Sequence, residues 1–174
     1  AKAVLDAAFR FSGQLISSCS KVILIEGQQQ EFVKNILAEA NSMKITDPTT
    51  PDAYAGPVIS ERKVADFKDM LDSVKSNVIF GGKRIKDPMT ENGYYVQPAI
   101  VMGLDDEHDL NNMDSALPIL SIQVASDLDD AMDIINCTEY GLSAGIITKD
   151  EAVSKRFVEE ADAECVFVND RKVP

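Results

Sequence analysis

Few side chains in this sequence are of a kind that does covalent chemistry, and they are scattered. The three cysteines, Cys19, Cys137 and Cys165, lie far apart and form no Cys-x-x-Cys pair. That spacing argues against both a disulfide framework and a zinc site. Cys19 is open to two readings, a reactive thiolate or a small buried apolar residue, and the packing role is preferred. Cys137, at a helix end, and Cys165, in a strand, read as packing residues. The single histidine, His108, stands in the polar stretch Asp105-Asp-Glu-His-Asp109 with no neighbouring nucleophile, so it reads as a solvated loop residue. No metal ligand set is expected. No G-x-G-x-x-G or Walker-type loop is present to cradle a phosphate.

Composition narrows the function further. Seventeen basic residues against twenty-nine acidic ones leave a net charge of −12, a field that repels phosphate backbones and anionic lipid. Neither nucleic acid nor a membrane is an expected partner. No apolar run approaches the roughly 20 residues that span a bilayer, and Ala1-Lys-Ala-Val4 does not open a signal peptide. A cytoplasmic location is the expectation. At 174 residues, 45% hydrophobic, the chain reads as one domain, residues 1–174, large enough to bury a core.

The elements that would position any site follow from apolar spacing. Val4, Leu5, Ala8 and Phe11 form a helical stripe ending near Gly13, and Val22–Ile25 is a β-branched strand closed by Gly27. Phe32, Val33, Ile36, Leu37 and Ala40 return to helical spacing. After a Pro-, Thr- and Asp-rich loop at 46–57, Ser60 can cap a helix carrying Val64, Phe67, Met70, Leu71 and Val74. Asn77–Phe80 reads as a strand, and 94–102 and 119–125 as extended segments. Ser126 or Asp127 then caps a helix burying Leu128, Ala131, Met132 and Ile135. Ser143–Thr148 is a strand, 150–162 a helix and Cys165–Asn169 a last strand. Strand and helix alternate, and strands such as Val22–Ile25 are continuous apolar runs. A sheet with parallel segments, covered by helices on both faces, fits that pattern. The fold class is α/β, a three-layer α/β/α sandwich.

Several short words recur in a fixed order along nearly the whole chain: Phe11-Ser-Gly-Gln14, Asp47-Pro48, Gly56-Pro-Val-Ile59, Gly81-Gly82, Gly93-Tyr-Tyr-Val-Gln-Pro98, Asn136-x-x-x-Tyr140-Gly-Leu-Ser-Ala-Gly145 and Val166-Phe-Val-Asn169. Each alone has an ordinary turn or strand explanation. Together they resemble the catalytic domain of the aldehyde dehydrogenase superfamily. Gly13-Gln-x-x-Ser17-x-Cys19-Ser20 leans toward its 1-pyrroline-5-carboxylate dehydrogenase branch.

The resemblance implies an NAD- or NADP-dependent oxidation in which a thiolate attacks the aldehyde carbon. It also shows where this chain departs from the pattern. Matching Gly13-Gln14 to the family's Gly-Gln-x-Cys puts Ile16 at the nucleophile position, and an aliphatic side chain has no lone pair to donate. Cys19 lies three residues on, roughly 10 Å away in an extended segment, whereas misplacement by about 1 Å is already damaging. The family's Glu-x-Phe-Gly-Pro word, which faces the nicotinamide ribose, reads here Asp114-Ser-Ala-Leu-Pro118. Asp114 could still accept a ribose hydroxyl or be a solvated loop acid. The family's nucleotide-binding domain, with its general base and oxyanion donor, is expected to be absent from this sequence, as is its C-terminal oligomerisation segment.

No bound cofactor is therefore expected. The leading expectation is a catalytically inactive relative, a pseudoenzyme or a fragment, with a structural or regulatory role. One alternative is a subunit of a split NAD(P)-dependent dehydrogenase, partnered by a separate nucleotide-binding domain or by further copies of itself. The other is a thiol-dependent enzyme using Cys19.

Overall fold

The computed structural model describes residues 1–86, 88 and 90–170. Its main sheet has four strands: β1 (Lys21–Ile25), β2 (Val78–Phe80), β3 (Ala99–Met102) and β4 (Ile119–Ala125). They lie in the order β1-β4-β3-β2, with β1, β4 and β3 parallel and β2 antiparallel at the edge. A separate parallel pair is made by β5 (Ser143–Ile146) and β6 (Cys165–Val168). The α/β sandwich is as expected. The chain splits its strands between two sheets, and one main-sheet strand runs against the others.

The central strand, β4, is buried on both faces, and strict alternation sorts its side chains. Leu120 and Ile122 join Ile100 and Leu24 under α1 (Lys2–Phe9) and α2 (Gln29–Asn41), where Phe9 and Ile36 are fully enclosed. Ile119 joins Ala99 and Val101 on the opposite face. There α3 (Glu61–Ser73) lays down Val64, Phe67 and Leu71. Burying each of the larger side chains contributes roughly 1.5–3 kcal/mol, so this two-sided core holds the layers together. The helix α4 (Leu128–Asn136) packs on β1 and β4, and α5 (Glu151–Glu160) on β6.

Helix starts follow capping chemistry closely. The Ser60 hydroxyl accepts from Lys63 N, and Asp127 from Asp130 N. Asp150 accepts from both Ala152 N and Val153 N. At α4 both candidate caps take part, because the Asp130 carboxylate in turn accepts from Ser126 N at 2.8 Å. Each such cap stabilises its helix by about 1 kcal/mol.

Two expectations are corrected. The first helix stops at Phe9, where Arg10 turns extended (φ −60°, ψ 146°). Phe9 takes the core position, and Phe11 is 66% exposed. Cys137, expected in packing, is exposed, because it caps α4 where the chain leaves for the surface.

Candidate functional site

Immediately after α1, three consecutive residues take left-handed backbone angles: Phe11 (φ 54°), Ser12 (φ 58°) and Gly13 (φ 65°). For Phe and Ser this conformation is costly and persists only where surrounding contacts hold it. They do so here. The buried Ser12 hydroxyl donates to Gly56 O at 2.7 Å. Gln14 Nε2 donates to Phe11 O and Pro57 O, while its Oε1 accepts from Ile59 N at 2.7 Å. Gly13 lies against the Leu117–Pro118 backbone so closely that a Cβ would stand 2.6 Å from Leu117 O. The segment 114–118 is fastened from the other side, with Lys63 Nζ donating to Ser115 O at 2.8 Å. Three words far apart in the sequence thus meet at one place.

What this frame presents outward is apolar. The chain reverses at Leu15–Ser18, with Ser18 N donating to Leu15 O at 2.9 Å. Ile16 stands on that turn 81% exposed, beside Leu15, with Phe11 and a 78% exposed Ile59 tied to it through Gln14. The extended path assumed between Ile16 and Cys19 is replaced by this turn. Ser18 Oγ is buried without a hydrogen-bond partner. Having no base bonded to it, it lacks what activates a serine hydroxyl.

Cys19 turns inward. Its amide donates to Ala7 O at 3.1 Å, its side chain packs against the Phe9–Ile36–Leu120 cluster, and its thiol donates to Lys21 O at 3.2 Å. Burial pushes the thiol up to about 11, the opposite of what activates a cysteine. Asp114 is exposed and its carboxylate accepts from Ala116 N at 3.1 Å, closing a local turn with Ala116 at φ 48°.

Sequence reasoning missed a polar cluster behind the frame. The buried Asp6 carboxylate accepts from Tyr54 Oη at 3.0 Å and Arg10 Nε at 3.3 Å, and the Arg10 guanidinium lies 5.6 Å from the centre of the Tyr54 ring. Burial first, then the bond to Asp6, drives the Tyr54 phenol far above its ordinary range. The signal was available in the Asp6–Arg10 spacing, one helical turn. Its partner Tyr54 is too distant in sequence to be seen. His108, read as a solvated loop residue, accepts from Leu110 N through Nδ1 and caps a short 3₁₀ turn at Asp109–Asn111.

The aldehyde dehydrogenase family profile matches residues 1–174 in full. The chain belongs to the aldehyde dehydrogenase family. It is 28% identical over 172 residues to the α-ketoglutaric semialdehyde dehydrogenase of Bacillus subtilis, covering 97% of this chain and 35% of that enzyme. It is 31% identical over 154 residues to 1-pyrroline-5-carboxylate dehydrogenase 1 of Halalkalibacterium halodurans, covering 87% of this chain and 29% of the other. The structure superposes on betaine aldehyde dehydrogenase from Staphylococcus aureus with a TM-score of 0.95 at 19% identity, covering 99% of this chain and 35% of that one. That likeness shows the fold. The chain spans about a third of the length of the family members it matches.

Within the family frame, Gly13-Gln14, Gly56–Ile59 and Pro118 hold one another as described. Ile16, on the turn after Gly13-Gln14, and Asp114, in the loop before Pro118, are both exposed. Among the described residues, no group of three or more His, Cys, Asp or Glu side chains could hold a metal ion. No helix among them is long and apolar enough to cross a membrane.

Proposed function

We propose that this chain is a non-catalytic aldehyde dehydrogenase-family domain whose role is structural or regulatory. One observation carries the reading: at the turn where the family resemblance calls for a thiolate, the frame is intact and presents an exposed Ile16. A fold kept in such detail around an unreactive side chain supports retention of architecture without the chemistry. Cys19 supports the same reading, since a half-buried thiol pushed up to about 11 makes a poor nucleophile at neutral pH. The solvent-facing Asp114, engaged with its own loop, offers little for a nicotinamide ribose, and no NAD or NADP binding is proposed. The Gly13–Ser20 pattern and the 31% identity to a 1-pyrroline-5-carboxylate dehydrogenase support a place near that branch.

The exposed apolar face formed by Phe11, Leu15, Ile16 and Ile59 supports a protein partner. It also favours the second reading, a subunit of a split NAD(P)-dependent dehydrogenase whose nucleotide-binding domain is a separate chain, with a second copy of this chain as the other occupant. Ile16 weighs against turnover in either assembly. Three free cysteines fit a reducing, cytoplasmic setting.

The test is calorimetric titration with NAD⁺ and NADP⁺, followed by reduced-cofactor formation with propanal and with 1-pyrroline-5-carboxylate. Absence of both binding and turnover is expected. Saturable cofactor binding together with aldehyde oxidation that is lost on Cys19→Ser substitution would overturn the proposal.

A further inference from the structure

The two edges of the main sheet are built differently. At one end β2 is three residues long, its pairing with β3 shifts register between Val78 and Phe80, and Gly81-Gly82 follows at once. A short, irregular edge of that kind resists further pairing. At the other end β1 runs five residues, Lys21-Val-Ile-Leu-Ile25, in unbroken register with β4 and without proline. Its single charge stands at the first position, with the Lys21 ammonium drawn to Ile134 O at 3.5 Å. A regular apolar strand left at the end of a sheet is a template for another strand.

The hydrogen bonds of β1 show which groups are open. In a parallel pair, alternate residues direct both N–H and C=O at the neighbouring strand. Ser121 N donates to Ser20 O at 2.9 Å and Glu26 N donates to Ala125 O at 2.8 Å. Ser20, Val22, Leu24 and Glu26 therefore face β4, and Lys21, Ile23 and Ile25 face outward. Lys21 O accepts from the Cys19 thiol and Ile25 O from Gln28 N at 3.1 Å, and each carbonyl keeps a second lone pair. Among the described residues, the amides of Lys21, Ile23 and Ile25 and the carbonyl of Ile23 meet no partner strand, because the sheet ends at β1. Of the five strand residues only Leu24 is buried.

We propose that this edge pairs antiparallel with the same edge of a second copy of the chain, about a two-fold axis at Ile23. In that register Ile23 meets Ile23, Lys21 meets Ile25 and Val22 meets Leu24. The outward residues then form hydrogen-bonded pairs, each exchanging both of its backbone bonds. Ser20 and Glu26, both exposed, fall opposite one another, so the carboxylate that bounds the strand meets a hydroxyl and not another carboxylate. Moving the axis one residue to Leu24 would set Glu26 against Val22. A foreign strand could satisfy the same backbone groups, and the match of this strand to itself favours the second copy. The arrangement uses one patch twice, closes at two copies and joins two four-stranded sheets into one. A net charge of −12 on each copy opposes approach, but at about 0.15 M salt that repulsion is screened beyond roughly 8 Å. Five residues span roughly 17 Å, a small contact, so the dimer is weak, with Kd on the order of 100 μM. The inference does not use the Phe11–Ile59 face and goes beyond the functional proposal.

Sedimentation equilibrium of the chain between about 10 μM and about 1 mM, with residue-resolved amide exchange at both ends of that range, tests it. A reversible monomer–dimer equilibrium is expected. The amides of Lys21, Ile23 and Ile25 should exchange about fourfold more slowly at the higher concentration, while those of Val22 and Leu24, already bonded to β4, stay unchanged. Ile23→Pro removes one outward N–H and spares the bonds to β4, so it should weaken the dimer by at least about tenfold. Ile23→Lys and Ile23→Glu should each do the same, and an equimolar mixture of the two should dimerise again, because residue 23 opposes itself only about this axis. A chain that stays monomeric at about 1 mM would overturn the proposal. So would a dimer in which exchange at Ile23 is unchanged, since another face would then make the contact. Dimers that survive both charged substitutions, or charged variants that fold but do not pair on mixing, would overturn the two-fold register.

Discussion

Gly13 and Ile16 are three residues apart and stand at opposite extremes of constraint. Gly13 has a left-handed backbone and a carbonyl oxygen where a side chain would begin. Ile16 projects from a turn into solvent and touches little that depends on its identity. The same contrast separates the frame as a whole from the surface it presents. Gly81 (φ 69°) presses on the Pro98 backbone just as Gly13 presses on Leu117, and Asn136 joins the end of α4 to Glu160 O and Asp162 N. Selection on shape can preserve all of these contacts without any reaction taking place beside them. Gly13 and Gly81, in words that carry the family likeness, are thus positions where backbone meets backbone, while Ile16 is held by no such contact.

The largest expected effect comes from breaking the frame. A methyl group at Gly81 would overlap the Pro98 carbonyl oxygen and also strain the positive φ. Gly81→Ala should lower stability by about 3 kcal/mol or more, read as a fall in the urea midpoint. A change below about 1 kcal/mol would mean that the Gly81–Pro98 seam is not held as tightly as described.

Cys19 sharpens the comparison through pH. Burial raises its thiol from 9.0 in the unfolded chain to about 11. The folded state therefore holds its proton where the unfolded state has released it. The associated stability is fully present below pH 9 and is lost as pH rises toward 11, an effect of about 2–3 kcal/mol. The difference in unfolding free energy between the native chain and Cys19→Ala should shrink across that window. A constant difference would show a solvated thiol and reopen a reactive role. Alkylation at neutral pH should also proceed faster at the exposed Cys137 than at Cys19.

Asn136 tests a joint of intermediate weight. Its amide donates to Glu160 O at 2.9 Å and accepts from Asp162 N at 2.9 Å, both near the surface. Asn136→Ala should cost about 1–2 kcal/mol and speed amide exchange in Ala161–Glu164 ahead of the main sheet. Uniform exchange across both sheets would show that the β5–β6 unit does not open separately.

Much of this was legible in the residues and the reasons are physical. β4 was readable to its ends because a segment rich in Ile, Leu and Val, bounded by Pro118 and Ser126, leaves few alternatives. The start of α3 was readable because a capping serine precedes a 3.6-residue stripe. The end of α1 was misread because Phe9 and Phe11 both suit an apolar stripe, and only the tertiary fastening of Ser12 and Gln14 decides between them. The split into two sheets was not legible, since period-2 alternation says which face a residue takes and nothing about which strand lies beside it. Cys137 and Lys21 approach one another across more than a hundred residues, a proximity that no local pattern encodes.

The smallest expected effect is at the position that most affects the functional reading. Because Ile16 is exposed on a turn outside both apolar cores, Ile16→Ser should change stability by no more than about 0.5 kcal/mol. Ile16→Cys should fold equally well and present a freely alkylated thiol. It should still give no reduced cofactor with propanal, since a thiol on a solvent-facing turn lacks the neighbouring base or cation that would activate it. Should Ile16→Ser instead lower stability by more than about 1 kcal/mol, Ile16 would be a packing residue like those of the frame. The distinction between a constrained scaffold and an unconstrained chemical surface would then fail at the residue that best defines it.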